Sequence, residues 1–296
     1  MIEKPYHPYA ADELQKESRN WWHKHPMSYD WHSTNGAAEG TKEFFEEIDR
    51  RFFNASPLYR GTPPFSEIIP LATLKGKRVL EIGCGLGSHS QLLAEAGCRL
   101  TSIDLTPRAV AVTTQRLTLN NLPVDVREMD AEQMDFKDDE FDFVWSWGVI
   151  HHSAHTEVIV KQVARVLKPG GEFRCMVYNR KAFDSYVKLV RGFVTGKRFK
   201  GMSTADILSF YTDGYVARYY TRSSLAELLS TGGLEVKDVY PMGQTSEFFP
   251  IPGKGLVGRA KYSLVDRMPR RLTARALLKT GSFLFGISRK PERVAY

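Results

Sequence analysis

The chain has 296 residues, 42% hydrophobic and 25% charged, without repeats or low-complexity tracts, which suits one large α/β domain or two small ones. Its three cysteines, Cys84, Cys98 and Cys175, form no disulfide framework and lack metal-ligand spacing, so a reducing, cytoplasmic setting is expected. No apolar run approaches the roughly 20 residues that span a bilayer, the N-terminal "MIEKPYHPYA" lacks the apolar stretch of a secretory signal, and the net charge of +7 hints at an anionic partner.

Residues 1 to 40 read as irregular and aromatic, and the helix "TKEFFEEIDRRFF" follows with Thr41 as its cap. From Lys77 the texture changes. "RVLEI" reads as a buried strand, followed by a glycine-rich turn and the helix "SHSQLLAEAG". "RLTSID" is a second strand, and "TPRAVAVTTQRL" its helix, capped by Thr106 with Pro107 in the first turn. "VDVREMD" is a third strand and "FDFVWSW" a fourth, apolar enough for the centre of a sheet. Ile159, Val163, Val166 and Leu167 share one helical face, closed by "KPGG", and "GEFRCMVYN" is a fifth strand. After an irregular, partly helical stretch, "SSLAELLSTGG" is a helix with Ser224 and Glu227 in capping-box register. "LEVKDVYPM" and "SFLFGISRKP" are the last two strands. Strands alternating with helices at this spacing imply parallel βαβ units.

The first turn is "EIGCGLG", between a strand and a helix, where backbone can approach a ligand closely. Asp104 ends the next strand, 21 positions after Gly83, where a carboxylate can take both hydroxyls of a ribose. The glycines read G-x-G-x-G, and the dinucleotide pattern G-x-G-x-x-G is not met, because Ser88 stands three after Gly85. Glu81 would repel a pyrophosphate but suits a cationic amino group.

From here the chain resembles the class I S-adenosylmethionine-dependent methyltransferases, in the subgroup of small-molecule and quinone or sterol enzymes. The matching stretches are "VLEIGCGLGSHS", "TSIDLTP", "MDAEQMDF", "FDFVWSWGVIHHS" and "ARVLKPGGEF", in family order across residues 78 to 180; "RYYTRSSLAELLSTGGLEV" is similar to the family's last helix and sixth strand. The resemblance implies a Rossmann-like, seven-stranded, mostly parallel sheet with helices on both faces and helical lid insertions. It divides the chain into an N-terminal arm and cap (1–74), a cofactor-binding core (75–180), a lid insertion (181–221) and the rest of the core (222–296), with a basic helical insert at 243–280. It implies that Gly83, Gly85 and Gly87 pass the methionine moiety, with Glu81 near its amino group. Asp104 would bind the ribose and Leu105 pack on the adenine. Asp130 would accept from the adenine amine, with Ala131 and Glu132 supplying nearby backbone. Ser146 and Trp147 would line the methionine end, and Tyr29, in the cluster with Trp21, Trp22 and Trp31, is a candidate contact from above.

"SWGVIHHSAH" holds His151, His152 and His155 just after the fourth strand, at the carboxyl end of the sheet where open α/β sheets bind ligands. A metal is one reading, weakened by the absence of a nearby cysteine. In the other two, a neutral imidazole takes a proton from the acceptor, or the ring only pins the loop. His152 is the candidate base, His151 orients or packs, and His155 starts a helix. Methyl transfer from a sulfonium needs little acid–base help, so the main demand is alignment and exclusion of water.

The fourth strand ends in "WSWGV", without the Asn/Asp-Pro-Pro-Tyr or Pro-Cys motifs of nucleobase-modifying enzymes. The expected acceptor is therefore a small molecule, lipid or natural product, near Arg218, Tyr219 and Tyr220. An RNA methyltransferase and a non-catalytic cofactor-binding protein are the alternatives. Residues 254 to 280 carry eight basic residues against one acid, Asp266, an excess equal to that of the whole chain. Interleaved with Leu256, Val257, Leu264, Val265, Met268, Leu272, Leu277 and Leu278, they suit peripheral contact with an anionic membrane, an anionic substrate, or a solvated face over an ordinary core stripe.

Overall fold

A computed structural model describes residues 11–28, 36–197, 201–248, 264 and 267–292. The strands are β1 (Arg78–Ile82), β2 (Arg99–Asp104), β3 (Val126–Glu128), β4 (Phe141–Trp147), β5 (Leu167–Asn179), β6 (Tyr219–Tyr220), β7 (Glu235–Met242) and β8 (Phe283–Arg289). Seven of them form the path β3-β2-β1-β4-β5-β8-β7. β8 runs antiparallel to both β5 and β7, and the other pairs are parallel. The eighth, β6, is two residues long, pairs with β5 and lay inside the expected lid insertion.

The apolar runs read as buried strands alternate between two cores, because successive side chains leave a strand on opposite faces. Leu80 and Val144 join one core, with Ile159, Val160, Val163 and Val166 of α5 (Thr156–Val166) and Leu225 and Leu229 of α8 (Arg222–Thr231). Val79, Phe143 and Trp145 join the other, with Phe52, Phe65, Leu92 and Leu93. Each fully buried side chain of this kind contributes about 1.5–3 kcal/mol.

Caps set the helix boundaries. Thr41 Oγ1 accepts from Phe44 N at 3.2 Å to start α2 (Lys42–Phe53), and Thr106 Oγ1 accepts from Ala109 N at 3.3 Å to start α4 (Pro107–Leu119). The cap of α8 is Thr221, with Ser224 at the third helical position, so the capping box lies three residues before the expected Ser224/Glu227 pair. Thr221 takes the cap because its backbone is extended and its hydroxyl accepts from Ser224 N at 3.1 Å.

One buried cation ties the N-terminal segment to the glycine turn. Arg116 of α4 is 1% exposed, pairs with Asp49 of α2, and donates to Leu86 O at 3.2 Å and Ser88 Oγ at 3.3 Å. Of the expected basic insert 243–280, the described part holds a 3-10 turn (Thr245–Phe248) and α9 (Arg270–Thr280); Lys254, Arg259 and Lys261 lie outside the described residues.

Candidate active site

A cavity of about 440 Å³ opens at the carboxyl ends of β1, β2 and β4. That volume falls in the roughly 300–1,000 Å³ range of small-molecule sites. Its floor is the turn Gly83–Leu86 between β1 and α3 (Ser88–Glu95). Gly83 has φ +81°, and a Cβ there would stand 2.1 Å from Val149 Cγ2, so no side chain fits. A Cβ on Gly85 would meet nothing within 4 Å: the space beside it is open cavity, which any side chain would begin to fill.

Asp104, at the end of β2, lines the cavity. Its carboxylate accepts from Gly85 N at 3.1 Å, Thr106 N at 2.9 Å and Thr106 Oγ1 at 3.0 Å. Burial raises its pKa against these bonds. Leu105, Asp130 and Ala131 line the same end. Glu132 does not; its amide donates to Asp130 Oδ1 at 2.8 Å, and its carboxylate receives Ser153 Oγ, His155 N at 2.9 Å and His155 Nδ1 at 2.9 Å. That bond to Glu132 raises the His155 pKa. His155 caps α5 away from the cavity.

Glu81 points elsewhere than expected. It is 2% exposed, beneath the glycine turn, and accepts from Ser102 Oγ at 2.8 Å and from Ser90 Oγ. Burial lifts its pKa to about 7, against these two bonds. Gly87 also lies off the cavity; with φ +79° it caps α3. Ser146 is fully buried and donates to Ile82 O at 3.3 Å, whereas Trp147, one residue on, lines the cavity. Strand alternation separates them.

His151 and His152 follow in a 3-10 turn and part ways. His151 is fully buried off the cavity, 4.2 Å between ring centres from both Tyr178 and His152, and neither of its nitrogens has a hydrogen-bond partner among the described residues. Burial, with His152 beside it, holds its pKa well below the ordinary value. His152 lines the cavity, and its Nδ1 lies 2.6 Å from Val216 O. A carbonyl only accepts, so Nδ1 carries a proton, and in the neutral form of the ring the lone pair is on Nε2. Gly214 backs this ring: with φ +84°, a Cβ there would come within 2.5 Å of His152 Nδ1. Among the described residues, no three His, Cys, Asp or Glu side chains group to hold a metal ion.

The three expected acceptor residues separate in the same way. Tyr219 lines the cavity, its hydroxyl 3.0 Å from Lys188 Nζ. Arg218 and Tyr220 line a shallow outer cleft instead, and Arg218 donates to Ser153 O at 3.3 Å and to Ala154 O. Adjacent residues of β6 face opposite ways, which a two-residue strand hides from any periodicity argument. Tyr29 and Trp31 lie outside the described residues. Trp22, from α1 (Ala11–Lys24), does reach the cavity, edge-on to His152 at 4.9 Å.

Several cavity residues were not legible as such. From α1, Gln15 Nε2 donates to both Asp130 oxygens at 3.0 and 3.1 Å while its Oε1 accepts from Ala154 N at 3.0 Å, and Ser18 donates to His152 O at 2.9 Å. From α6 (Phe183–Val194), which the short α7 (Thr204–Phe210) follows, Asp184 and Lys188 pair at 2.6 Å. Their i,i+4 spacing was the one available signal. Glu247 accepts from Gln244 N at 2.6 Å and Ser282 N at 2.7 Å, and burial raises its pKa to about 7 against these bonds.

Residues 80–175 match the family model of a methyltransferase domain. The ubiquinone biosynthesis O-methyltransferase of Aromatoleum aromaticum is 30% identical over 214 residues, 69% of this chain and 90% of that protein. The enzyme of the same name from Ralstonia nicotianae is 28% identical over 227 residues, 74% of this chain and 88% of the other. Among solved structures, an S-adenosylmethionine-dependent methyltransferase from Mesorhizobium loti has a TM-score of 0.53 at 16% identity, covering 80% of this chain and all of that one. The [4+2]-cyclase SpnF has a TM-score of 0.54 at 18% identity, covering 98% and 99%. At these identities the structures speak for the fold alone, whereas the sequence relatives extend over nearly their whole length. The open glycine turn and the carboxylates of Asp104 and Asp130 on one cavity are what an adenosine-bearing cofactor needs, and with that the chain belongs to the class I S-adenosylmethionine-dependent methyltransferases.

Proposed function

We propose that this enzyme methylates a hydroxyl group of an amphiphilic small molecule, delivered from an anionic membrane surface. S-adenosylmethionine, when bound, supplies a methyl group already activated on a sulfonium. Asp104, Leu105, Asp130 and Ala131 would hold its nucleoside end, and the turn Gly83–Leu86 with Trp147 would take the other. The observation that carries the reading is the place of His152 on the cavity wall with Nδ1 2.6 Å from Val216 O: a ring that donates there would accept a hydroxyl proton through Nε2. The relatives' name, O-methyltransferase, agrees with oxygen as the acceptor atom. Trp22 and Met27 from the N-terminal segment and Tyr178 and Phe283 from the sheet would exclude water.

The amphiphilic character rests on two surfaces. α6, whose Asp184 and Lys188 line the cavity, exposes Phe183, Tyr186, Val190, Phe193 and Val194 along one outer stripe. α9 carries Arg270, Arg271, Arg275 and Lys279 with Leu272 exposed. Apolar side chains beside basic ones suit a bilayer interface, where each Lys or Arg near an anionic surface is worth about 1 kcal/mol. Among the described residues no helix is long and apolar enough to cross a membrane.

Two measurements test the reading. S-adenosylhomocysteine release is expected with long-chain phenols and not with the corresponding anilines; turnover restricted to amines would overturn the hydroxyl assignment. Co-sedimentation with phosphatidylglycerol vesicles is expected at low salt and is expected to fall as salt screens the contact. No sedimentation at low salt would eliminate the membrane part.

A further inference from the structure

The cavity is lined by an imidazole for which the binding and proton-transfer roles above have no use. His89, the second residue of α3, lines the cavity and is 7% exposed. Aromatic rings enclose it, at centroid distances of 4.6 Å (Phe65), 5.2 Å (Phe52 and Trp145) and 5.7 Å (Trp147). Its Nε2 is buried with no hydrogen-bond partner among the described residues. A leucine or phenylalanine would pack this space without an unsatisfied nitrogen, so packing alone does not account for an imidazole here. Burial, and then the charge of Arg116, pushes its pKa down to about 3. The ring therefore stays neutral, and because Nε2 is sealed among the aromatic rings, Nδ1 is the nitrogen that would carry an N–H toward the cavity.

The position of the ring in the cavity says what would receive it. The strand order β3-β2-β1-β4 lays the cavity out in one direction. Asp130 and Ala131 after β3 and Asp104 and Leu105 after β2 form the nucleoside end. The turn after β1 and Trp147 at the end of β4 come next, ahead of Tyr178 on β5 and Phe283 on β8, and His89 stands there. The residue expected near the cofactor's amino group, Glu81, has its carboxylate turned beneath the turn to Ser90 and Ser102.

We propose that the His89 side chain holds the amino-acid end of the cofactor, donating a hydrogen bond to its carboxylate. This rests on the S-adenosylmethionine reading of the cavity. It makes His89 a binding residue, separate from the proton transfer assigned to His152.

Calorimetric titration with two probes tests it. S-adenosylhomocysteine carries the amino-acid end, and 5′-methylthioadenosine lacks it while keeping the nucleoside. For His89→Leu, affinity for S-adenosylhomocysteine is expected to fall about tenfold, the loss of a hydrogen bond to a charged group, with affinity for methylthioadenosine unchanged. His89→Gln, which restores an N–H, is expected to recover part of the loss, and it stands in should the leucine variant fail to fold. The ratio of the two affinities is the readout, because a merely structural role would weaken both probes together. Equal losses for both, or no loss for either, would overturn the proposal. Wild-type protein that bound methylthioadenosine no more weakly than S-adenosylhomocysteine would overturn it too, while leaving the nucleoside site standing. Binding of neither probe would sink the cofactor reading and the proposal with it.

Discussion

His152→Ala is expected to lower turnover more than about tenfold, within the range of a lost general base, with cofactor affinity unchanged. The expectation follows from the Nδ1 contact to Val216 O at 2.6 Å, which leaves Nε2 as the basic atom on the cavity wall. The backbone around it is held independently of the ring: Ser18 Oγ donates to His152 O, and Arg218 N to His151 O at 2.9 Å. His152→Asn separates chemistry from scaffolding, because its amide can replace the Nδ1 donor but not the Nε2 base. The asparagine variant should fold like wild type and remain slow. An asparagine variant with full turnover would remove His152 from proton transfer and leave it a loop-pinning residue.

Asp104→Ala is expected to weaken S-adenosylmethionine binding by about 1–3 kcal/mol, or roughly 5- to 150-fold, the loss for orphaned polar partners. Two effects combine. The ribose hydroxyls would lose their acceptor, and Gly85 N and Thr106 N would lose theirs, which loosens the turn at the cavity floor. Unchanged affinity in the alanine variant, measured by calorimetry, would remove Asp104 from the ribose site.

What was legible in the sequence followed from strong local rules. Central parallel strands are buried on both faces, so "RVLEI" and "FDFVWSW" stood out as apolar runs, and both are strands with the expected ends. Asp104 was legible because it ends the second strand, 21 positions after Gly83, and strand ends on that edge of the sheet open onto the cavity. Side-chain direction was not legible at strand ends, where one residue of register decides between core and cavity. That is why Ser146 is buried while Trp147 lines the site, and why Tyr219 faces in while Tyr220 faces out. Glu81 shows a second limit. Its carboxylate is satisfied by Ser102, a residue of the neighbouring strand, and only the pairing of Glu81 with Ser102 across β1 and β2 brings the two together. Gln15 shows a third: its partners Asp130 and Ala154 are more than a hundred positions away, and no local pattern marks an amide that bridges them.

This cavity is built for S-adenosylmethionine and not for a dinucleotide. The G-x-G-x-G turn lacks the third glycine of the dinucleotide pattern, and Asp104 already holds Gly85 N, the amide a pyrophosphate would seek. Calorimetric titration of the purified protein with S-adenosylmethionine, and in parallel with NAD, tests this most directly. S-adenosylmethionine is expected to bind saturably and one-to-one, and NAD to give no heat of binding. Saturable binding of NAD, with none of S-adenosylmethionine, would contradict it.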